Sequence, residues 1–326
     1  MPRLLMLLLL LAGCSGQHED VHETRFMMGT LVEFTVSDCD KQEAQKAIAR
    51  ASRAMARIEQ RFTIYGDGDN AVKRFNRTPV GTAVTLPKDV AQLLMLARKV
   101  QRASDGAFDP ALGALNRLWG FSREPAPTRP PAKAQIRAAK HAPGCLIHTR
   151  KGQWLRRSDN CQLDFGGIAK GYALDRGIAA LKRAGIRNAI INAGGDMRII
   201  GSHHGKPWRI GIRHPRKSGQ VLGYLALNGP MSIVTSGDYE RFFIYQGRRY
   251  HHILDPASGM PAHKAQSATV LHPSASVADA WSTALFVLGP KGLARLQQLR
   301  MPALVVDTQG ALHMNAAMRA LFHPMR

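Results

Sequence analysis

Residues 163–176, LDFGGIAKGYALDR, place Lys170 in the first turn of a predicted helix, directly after two glycines. A helix start carries unpaired N–H groups and the positive end of the helix dipole, so a lysine is disfavoured there unless a negative group lies close. A bound phosphate would supply the negative charge, and Gly166 and Gly167 would let the backbone approach it closely. The stretch matches neither the P-loop pattern nor GxGxxG. The alternative is a lysine that faces solvent, and the local residues leave both open.

A second candidate site lies in ADAWSTA, where Asp279 and Thr283 are four residues apart and share one face of a predicted helix. A carboxylate and a hydroxyl in this arrangement, with Ser282 adjacent, are hard oxygen ligands that suit Mg²⁺. In the alternative, which the local sequence favours, Asp279 belongs to the first helical turn, where negative charge is stabilising without any metal.

Three further motifs combine turn residues with glycines or titratable groups: NAGGDMRIIG, TSGDYER and YHHILDPASG. The paired glycines of the first indicate a close approach of the backbone to a ligand or to another strand. In the third, His252 is a candidate general base or phosphate contact. A structural histidine is the commoner outcome for such a residue in a basic strand.

The predicted helices and strands that must position these residues follow one another in no regular order. Helical spacing predicts helices over 41–62, from Pro87 to just before Gly106, from the glycine pair to Gly185, and over 276–288. Strands are predicted in most other segments, and the proline-rich stretch 122–132 is predicted to be an exposed loop. Without a solenoid repeat, this order favours an α+β fold, with mixed or antiparallel sheets and packed helices, over a doubly wound parallel sheet.

The net charge of the chain and its distribution limit the classes of partner that it is expected to bind. Lysine and arginine number 45 against 23 acidic residues, a formal net charge of +22. The basic residues are dispersed, without zinc-ligand spacing, interleaved aromatic repeats or a recognisable DNA-reading helix, so we expect no nucleic-acid partner. Anionic lipid head groups or a nucleotide substrate fit better.

The first residues predict export. MPRLLMLLLLLAGCSG has the form of a signal peptide, and residues 11–14 resemble a bacterial lipobox, which implies cleavage before Cys14 and lipid attachment to its sulfur. An ordinary signal peptide is the alternative. We therefore expect a signal peptide over 1–13, a tether over 14–25, one domain over 26–326, and a periplasmic protein held to a membrane by its lipid. Ser15 resembles an outer-membrane sorting signal, without fixing which membrane.

The remaining cysteines are Cys39, Cys145 and Cys161, and no pair has metal-ligand spacing. Cys145 and Cys161 bracket a predicted strand, turn and strand. In an oxidising periplasm they are able to form a disulfide. Two buried thiols are the alternative, which the sequence slightly favours.

Five motifs stand in one order along the chain: FMMGT, DFGGIAKGYALD, NAGGD, TSGDYER with HHILDPASG, and SATVLHPSASVADAWSTALFVLG. Together they resemble the ApbE family, the FAD:protein FMN transferases, over essentially all of the mature chain. The resemblance implies an ApbE-like fold and a set of FAD contacts, at Met28, Tyr65, Ala107, Phe108, Asp109, Asp164, Lys170 and Ile253. It also implies a magnesium shell of the Gly167 carbonyl, Asp279 and Thr283, with Ser282 as a further candidate.

The chain departs from the usual family pattern at a few positions. Phe165 replaces a common leucine, Ala257 a common arginine, and Asn70 and Ala71 a serine and glutamate that usually follow the segment of Tyr65. The first change affects packing and the second removes any contact made by the arginine. The third bears on the flavin-side contacts.

The resemblance implies a reaction in which a threonine hydroxyl of an exported acceptor protein attacks the FMN phosphorus of FAD, and AMP leaves. Mg²⁺ suits this chemistry because it neutralises charge on diphosphate oxygens. Lys170 is predicted to add to that field, and His252 or Asp164 to take the proton of the hydroxyl. Two alternatives are Mg²⁺-dependent hydrolysis of FAD to FMN and AMP, and a lipoprotein that only binds FAD.

Overall fold

The computed structural model describes residues 19–325. Its strands are β1 Val21–Met27, β2 Thr30–Ser37, β3 Leu146–His148, β4 Trp154–Arg156, β5 Asn188–Ala193, β6 Asp196–Ile200, β7 Trp208–Arg213, β8 Val221–Leu227, β9 Met231–Gly237, β10 Phe242–Tyr245, β11 Arg248–His251, β12 Ser267–His272, β13 Ala303–Val306, β14 Leu312–Met314 and β15 Phe322–Pro324. Its α-helices are α1 Lys41–Phe62, α2 Ala71–Arg77, α3 Lys88–Ala103, α4 Gly113–Trp119, α5 Lys133–Ala139, α6 Ala169–Arg183, α7 Ala275–Leu288, α8 Leu293–Gln298 and α9 Ala316–Arg319.

An eight-stranded sheet organises the molecule, in the order β1-β2-β5-β6-β9-β12-β13-β14. Every neighbouring pair in it is antiparallel. Side chains alternate between the two faces of a strand. On one face, apolar residues such as Ile191, Val270 and Val305 pack in the core that includes helices α1, α6 and α7. The predicted α+β class is confirmed.

The opposite face of the large sheet carries a second core. Leu271 and Leu304 point to this face and meet Trp208 and Phe322 of a small antiparallel sheet, ordered β15-β8-β7. The molecule therefore has three layers, with helices on one side of the large sheet and a small sheet on the other.

The long predicted helices are confirmed. Helix α1 spans the predicted 41–62, and its first N–H groups are capped by the Asp40 carboxylate, which accepts from Gln42 and Glu43. Helix α3 begins after Pro87 and ends before Gly106, as predicted. The segment 122–132 has no helix or strand, whereas the short helices α2, α4 and α5 were not predicted.

Two predictions need correction. Cys145 and Cys161 are joined in a disulfide, with their Cα atoms 5.8 Å apart, so the slightly favoured pair of buried thiols is wrong. Strand β1 begins at Val21 and pairs there with Val36, so 21–25 belong to the sheet and not to the predicted tether. The signal peptide, Cys14 and Ser15 lie outside the described residues. Among residues 19–325, no helix is long and apolar enough to cross a membrane.

Candidate active site

The first turn of α6 supplies a lysine that pairs with a buried carboxylate. Lys170 Nζ lies 2.5 Å from Oδ2 of Asp196, the first residue of β6. Asp196 is almost fully buried, and its Oδ1 accepts from the N–H of Thr235. The negative group beside Lys170 is thus a carboxylate of this chain, and the solvent-facing alternative is wrong.

Helices α6 and α7 cap each other. The N–H of Gly171 donates to Asp279 Oδ2 at 2.8 Å, so a carboxylate of α7 caps the start of α6. In return, Asp175 of α6 accepts from the backbone N–H groups of Ala275 and Ser276 at the start of α7. Each acceptor satisfies orphan donors at the start of its partner helix. The two helices, and the site residues on them, are therefore held in one fixed relation.

This arrangement changes the interpretation of Asp279. Helix α7 begins at Ala275, so Asp279 lies beyond its first turn, and that turn contains no acidic residue. The dipole effect fades within the first turn. The first-turn interpretation that the local sequence favoured is therefore wrong, and the position of Asp279 is explained by its contact with α6.

Gly167 and Thr283 face each other across the same contact. A Cβ on Gly167 would lie 3.4 Å from Thr283 Oγ1 and 3.1 Å from the ring of Phe108, so the glycine packs closely against both side chains. In a continued helix, the N–H of Gly171 would bond to the carbonyl of Gly167. It donates to Asp279 instead, which leaves the Gly167 carbonyl available to another partner.

A chain of hydroxyl groups lies behind Thr283. Ser282 Oγ donates to the Asp279 carbonyl at 2.9 Å and lies 2.9 Å from Ser236 Oγ, which is 3.4 Å from Thr283 Oγ1. Because Ser282 is fully buried and its proton is used within α7, Thr283 is the better placed of the two hydroxyls toward Gly167.

The charges of the cluster do not balance. Burial, with the Asp196 carboxylate second, raises the pKa of Asp279 to about 7. Burial lowers the pKa of Lys170, but Asp196 and then Asp279 more than offset this and raise it overall. Two carboxylates thus share one ammonium group. An excess of negative charge at buried oxygen ligands suits a divalent cation.

The turn between β1 and β2 reaches the same region. Met28 and Gly29 both have positive φ, at 56° and 70°, and form the two-residue turn of a hairpin. The following Thr30 contacts the turn between β5 and β6, where a Cβ on Gly194 would lie 2.4 Å from its hydroxyl. The FMMGT motif therefore lies beside the turn that leads into Asp196.

Tyr65 and Asp164 meet next to these elements. Burial and the Asp164 carboxylate raise the pKa of Tyr65 to about 12, so its phenol stays protonated and able to donate. Asp164 Oδ2 accepts from Asn116 and Oδ1 from the N–H of Gly166, which fixes the carboxylate before the glycine pair. Arg241 bonds to Ser122 and lies 3.1 Å from the position of a Cβ on Gly29.

His252 is half-buried between this group and Lys170. Burial, the neighbouring His251 and Arg241 lower its pKa to about 3, so the imidazole is neutral. Its Nδ1 lies 3.4 Å from the carbonyl of Arg241. The structural role belongs to His251, which is buried and bonds to the carbonyl of Ala262 at 2.7 Å. The next residue, Ile253, is also buried.

Of the AFD segment, residues 107–109, one side chain contacts the site. Phe108 contacts Gly167, as above, and Ala107 is buried. The Asp109 carboxylate accepts from the N–H of Ala111 at 2.8 Å and lies 3.5 Å from buried His141 Nε2. It faces the protein interior, and its burial raises its pKa.

Two cavities of the described chain lie elsewhere. One, of about 450 Å³, is at the end of α6 and beside Pro230, and one of about 270 Å³ lies beside Arg57 and Arg176. No residue predicted for the site lines either. The site is identified by its side-chain chemistry rather than by cavity size.

Sequence reasoning missed four residues of this site. Asp196 stands in the quoted NAGGD motif and Asp175 in DFGGIAKGYALD, so the motifs contained both without assigning their roles. Asn116 and Arg241 act through Asp164 and the β1–β2 turn, and a contact between distant segments leaves no local periodicity.

Known proteins are similar in sequence to this chain over most of its length. The model of the ApbE family matches residues 28–305. A protein of Rhodobacter capsulatus named FAD:protein FMN transferase is 33% identical over 306 residues, which is 92% of this chain and 58% of that protein. This chain thus spans less than two thirds of that relative. A Klebsiella pneumoniae protein of the same name is 33% identical over 85% of this chain and 87% of its own length.

Solved structures agree with the fold. The ApbE protein of Thermotoga maritima is 34% identical, with a TM-score of 0.86 over 94% of this chain and 100% of its own. The flavinyl transferase ApbE of Pseudomonas stutzeri is 32% identical, with a TM-score of 0.81 over 95% and 99%. The family match spans most of the chain and includes both Lys170 and Asp279. The chain belongs to the ApbE family.

Proposed function

We propose that this protein transfers FMN from FAD to a threonine hydroxyl of an acceptor protein and releases AMP. The observation that carries the proposal is the cluster at the contact of α6 and α7, where Lys170, Asp279 and Thr283 meet. The names of relatives similar over nearly their full length support the same activity. Cleavage of a diphosphate requires this kind of charge-stabilising site.

The residues fit a magnesium ion. The Gly167 carbonyl, the Asp279 carboxylate and the Thr283 hydroxyl are hard oxygen ligands from the two mutually capped helices, and the cluster has an excess of negative charge. Ser282 would support Asp279 from behind, through its bond to the Asp279 carbonyl. Mg²⁺ bound there would neutralise diphosphate charge.

Lys170 and His252 have separate tasks. Lys170, kept charged by Asp196, is directed to the diphosphate. His252 is a neutral base, because burial lowers its pKa. If its Nδ1–H donates to the Arg241 carbonyl, Nε2 is left with a lone pair to accept the threonine proton. The negative charge of bound FAD raises the basicity of this imidazole. Asp164 serves less well, because both of its oxygens already hold local donors.

The flavin side of the site is assigned to the remaining predicted contacts. Tyr65 lies beside Asp164 and Arg241, Met28 adjoins the glycine that Arg241 approaches, and Phe108 lies against Gly167. We assign these side chains to an apolar and aromatic surface next to the diphosphate position. Ala107, Asp109 and Ile253 are buried behind them and shape the surface.

Export and lipid attachment complete the proposal. The lipobox at residues 11–14 supports a lipid on Cys14, and the disulfide between Cys145 and Cys161 supports an oxidising compartment such as the periplasm. The acceptor protein would then also be exported.

The test is incubation of the full chain with FAD, Mg²⁺ and a candidate threonine-containing acceptor. Transfer gives AMP together with covalent flavin fluorescence on the acceptor, whereas hydrolysis gives AMP and free FMN. Asp279→Ala should abolish both products, and Asp105→Ala, an exposed carboxylate paired with Arg295, serves as the matched control. Tight FAD binding with neither product would leave only a binding protein and refute the proposal.

A further inference from the structure

A cluster of two histidines and two aspartates lies at the end of the large sheet away from the active site. Asp20 directly precedes β1, and His203 and His204 lie in the connection between β6 and β7. Strand β1 separates Asp20 from Met28 by seven residues, about 23 Å of extended chain. Strand β6 likewise runs from Asp196, in the active site, toward the two histidines. The cluster is therefore distinct from the site that binds FAD.

A tight turn places the two imidazoles side by side. His203 and Lys206 exchange both backbone hydrogen bonds, and the central residues, His204 and Gly205, have φ of 48° and 76°. Positive φ at both central positions is the conformation of a type I′ turn. The ring centroids of His203 and His204 lie 4.7 Å apart, and His203 also stacks on Trp208.

Both rings direct Nε2 at the same carboxylate. His203 Nε2 lies 2.6 Å from Asp20 Oδ2, and His204 Nε2 lies 3.0 Å from Asp20 Oδ1. The three ligand atoms lie within 4.8 Å of one another. Ligands of a tetrahedral zinc ion at 2.0–2.2 Å are separated by about 3.3 Å, so small side-chain rotations would suffice to admit a cation.

His204 has a carboxylate at each ring nitrogen. Its Nδ1 lies 2.8 Å from Asp38 Oδ1, while Nε2 faces Asp20. An imidazole that binds a cation through Nε2 keeps one N–H, at Nδ1, which is the nitrogen that faces Asp38. A cation between Nε2 and Asp20 would satisfy both contacts, and the bond from Nδ1 to Asp38 is the outer contact that orients metal-bound histidines.

The carboxylates are themselves held in place. Ser37 Oγ donates to Asp20 Oδ1 at 2.5 Å, and Asn188 Nδ2 donates to Asp38 Oδ2 at 2.9 Å. Asn188 Oδ1 also accepts from the N–H of Ser202, just before the two histidines. The β2, β5 and β6–β7 segments thus converge on the cluster and limit its rearrangement.

We propose that Asp20, His203 and His204 form a binding site for a divalent transition-metal ion of the zinc class. Two imidazole nitrogens and one carboxylate favour Zn²⁺, Co²⁺, Ni²⁺ or Cu²⁺ over Mg²⁺, which prefers oxygen ligands. The bound ion would fasten the first residue before β1 to the β6–β7 turn, at the point where the N-terminal segment enters the fold.

The test is a titration of the metal-free full chain with Zn²⁺ in the presence of millimolar Mg²⁺. Calorimetry measures the binding, and thermal unfolding measures the change in Tm. We expect one equivalent of Zn²⁺ to bind, and the Tm to rise by about 4 °C at a hundredfold excess over Kd. Bound Cu²⁺ should show nitrogen hyperfine coupling in its electron paramagnetic resonance spectrum.

The variants Asp20→Asn and His204→Ala should each raise the Kd for Zn²⁺ at least about tenfold. Loss of a residue that only supports a metal ligand already lowers metal affinity by about that factor. His22→Ala is the matched control, because His22 lies on β1 near Asp20 but bonds to Thr35 rather than to a carboxylate. It should bind Zn²⁺ as the unchanged chain does. No uptake of Zn²⁺ by the unchanged chain, or equal uptake by the folded Asp20→Asn and His204→Ala variants, would overturn the proposal.

Discussion

Replacing Gly171 with alanine tests whether the contact of α6 with α7 sets the geometry of the active site. A Cβ at this position would lie 2.2 Å from the carbonyl oxygen of Ala275, 2.5 Å from its carbonyl carbon and 2.8 Å from Cβ of Asp279. These are backbone atoms or atoms next to the backbone, so no flexible side chain can give way. The helices would have to separate by about 1 Å to reach ordinary van der Waals distance.

The separation carries two costs. It breaks the bond from the Gly171 N–H to Asp279, worth about 1.5–3 kcal/mol for a charged acceptor. Strain from overpacking adds about 1–3 kcal/mol, while the better helix propensity of alanine returns about 1 kcal/mol. We expect a net loss of about 3 kcal/mol in the free energy of unfolding. Because Gly167 and Lys170 move relative to Asp279 and Thr283, kcat should fall by about 100-fold.

Gly177→Ala provides the control on the same helix. Its Cβ would meet Sδ of Met55 at 2.8 Å and Cδ1 of Ile191 at 2.9 Å, which are the ends of flexible side chains. This variant should lose stability but keep transfer within a few-fold. Stability is measured by denaturant unfolding, and kcat by AMP release at saturating FAD and acceptor. A folded Gly171→Ala protein with normal kcat would refute the reasoning.

Four further substitutions probe separate parts of the proposal. Asp279→Ala should abolish Mg²⁺-dependent labelling of an acceptor, because α7 loses its carboxylate facing Gly171; near-normal labelling would remove this residue from the metal shell. Lys170→Ala should raise the Kd for FAD while the protein remains folded, and an unchanged Kd in an equilibrium titration would exclude its contact with FAD. His252→Gln should make the free energy of unfolding less sensitive to acid. The pKa of His252 is about 3 in the folded protein and 6.5 ordinarily, so between pH 6.5 and 3 the unfolded chain binds a proton that the folded chain does not. With His252 present, stability therefore falls as the pH decreases through this range. Acid unfolding curves that coincide for both proteins would contradict this. Cys14→Ser should leave FMN transfer intact but abolish incorporation of labelled fatty acid. Absence of label on the protein that retains Cys14 would refute the lipid anchor.

The elements of the site were predictable because each has a local signal. The glycine pair and the spacing of apolar residues identified α6, and the four-residue spacing of Asp279 and Thr283 placed both on one face of α7. The order of motifs then indicated the family. Local patterns sufficed wherever one helix or one turn determined the arrangement.

The partners of these residues could not be predicted in this way. The carboxylate beside Lys170 comes from β6, and the bonds that hold the start of α7 come from Asp175, ninety-nine residues before Ser274 in the chain. That cap explains why Asp279 falls beyond the first turn, where sequence reasoning alone had favoured a dipole effect. Contacts between distant segments follow from the packing of α6 against α7, which no window of sequence contains.

The same packing explains how a strongly basic chain holds a site with excess negative charge. Asp196 and Asp279 are buried together beside one ammonium group, and each is fixed by a backbone N–H, from Thr235 and Gly171 respectively. Without a cation, Asp196 offsets the attraction of Lys170 for the diphosphate of FAD, and Asp279 adds repulsion when it ionises above its raised pKa of about 7. A divalent cation held by Asp279 would reverse the sign of the local charge. The bond from the Gly171 N–H keeps Asp279 in place in either state, and the bond from the Thr235 N–H does the same for Asp196, because both carboxylates are held by backbone groups. Binding of the metal and capture of FAD are therefore expected to be coupled through the same pair of helices.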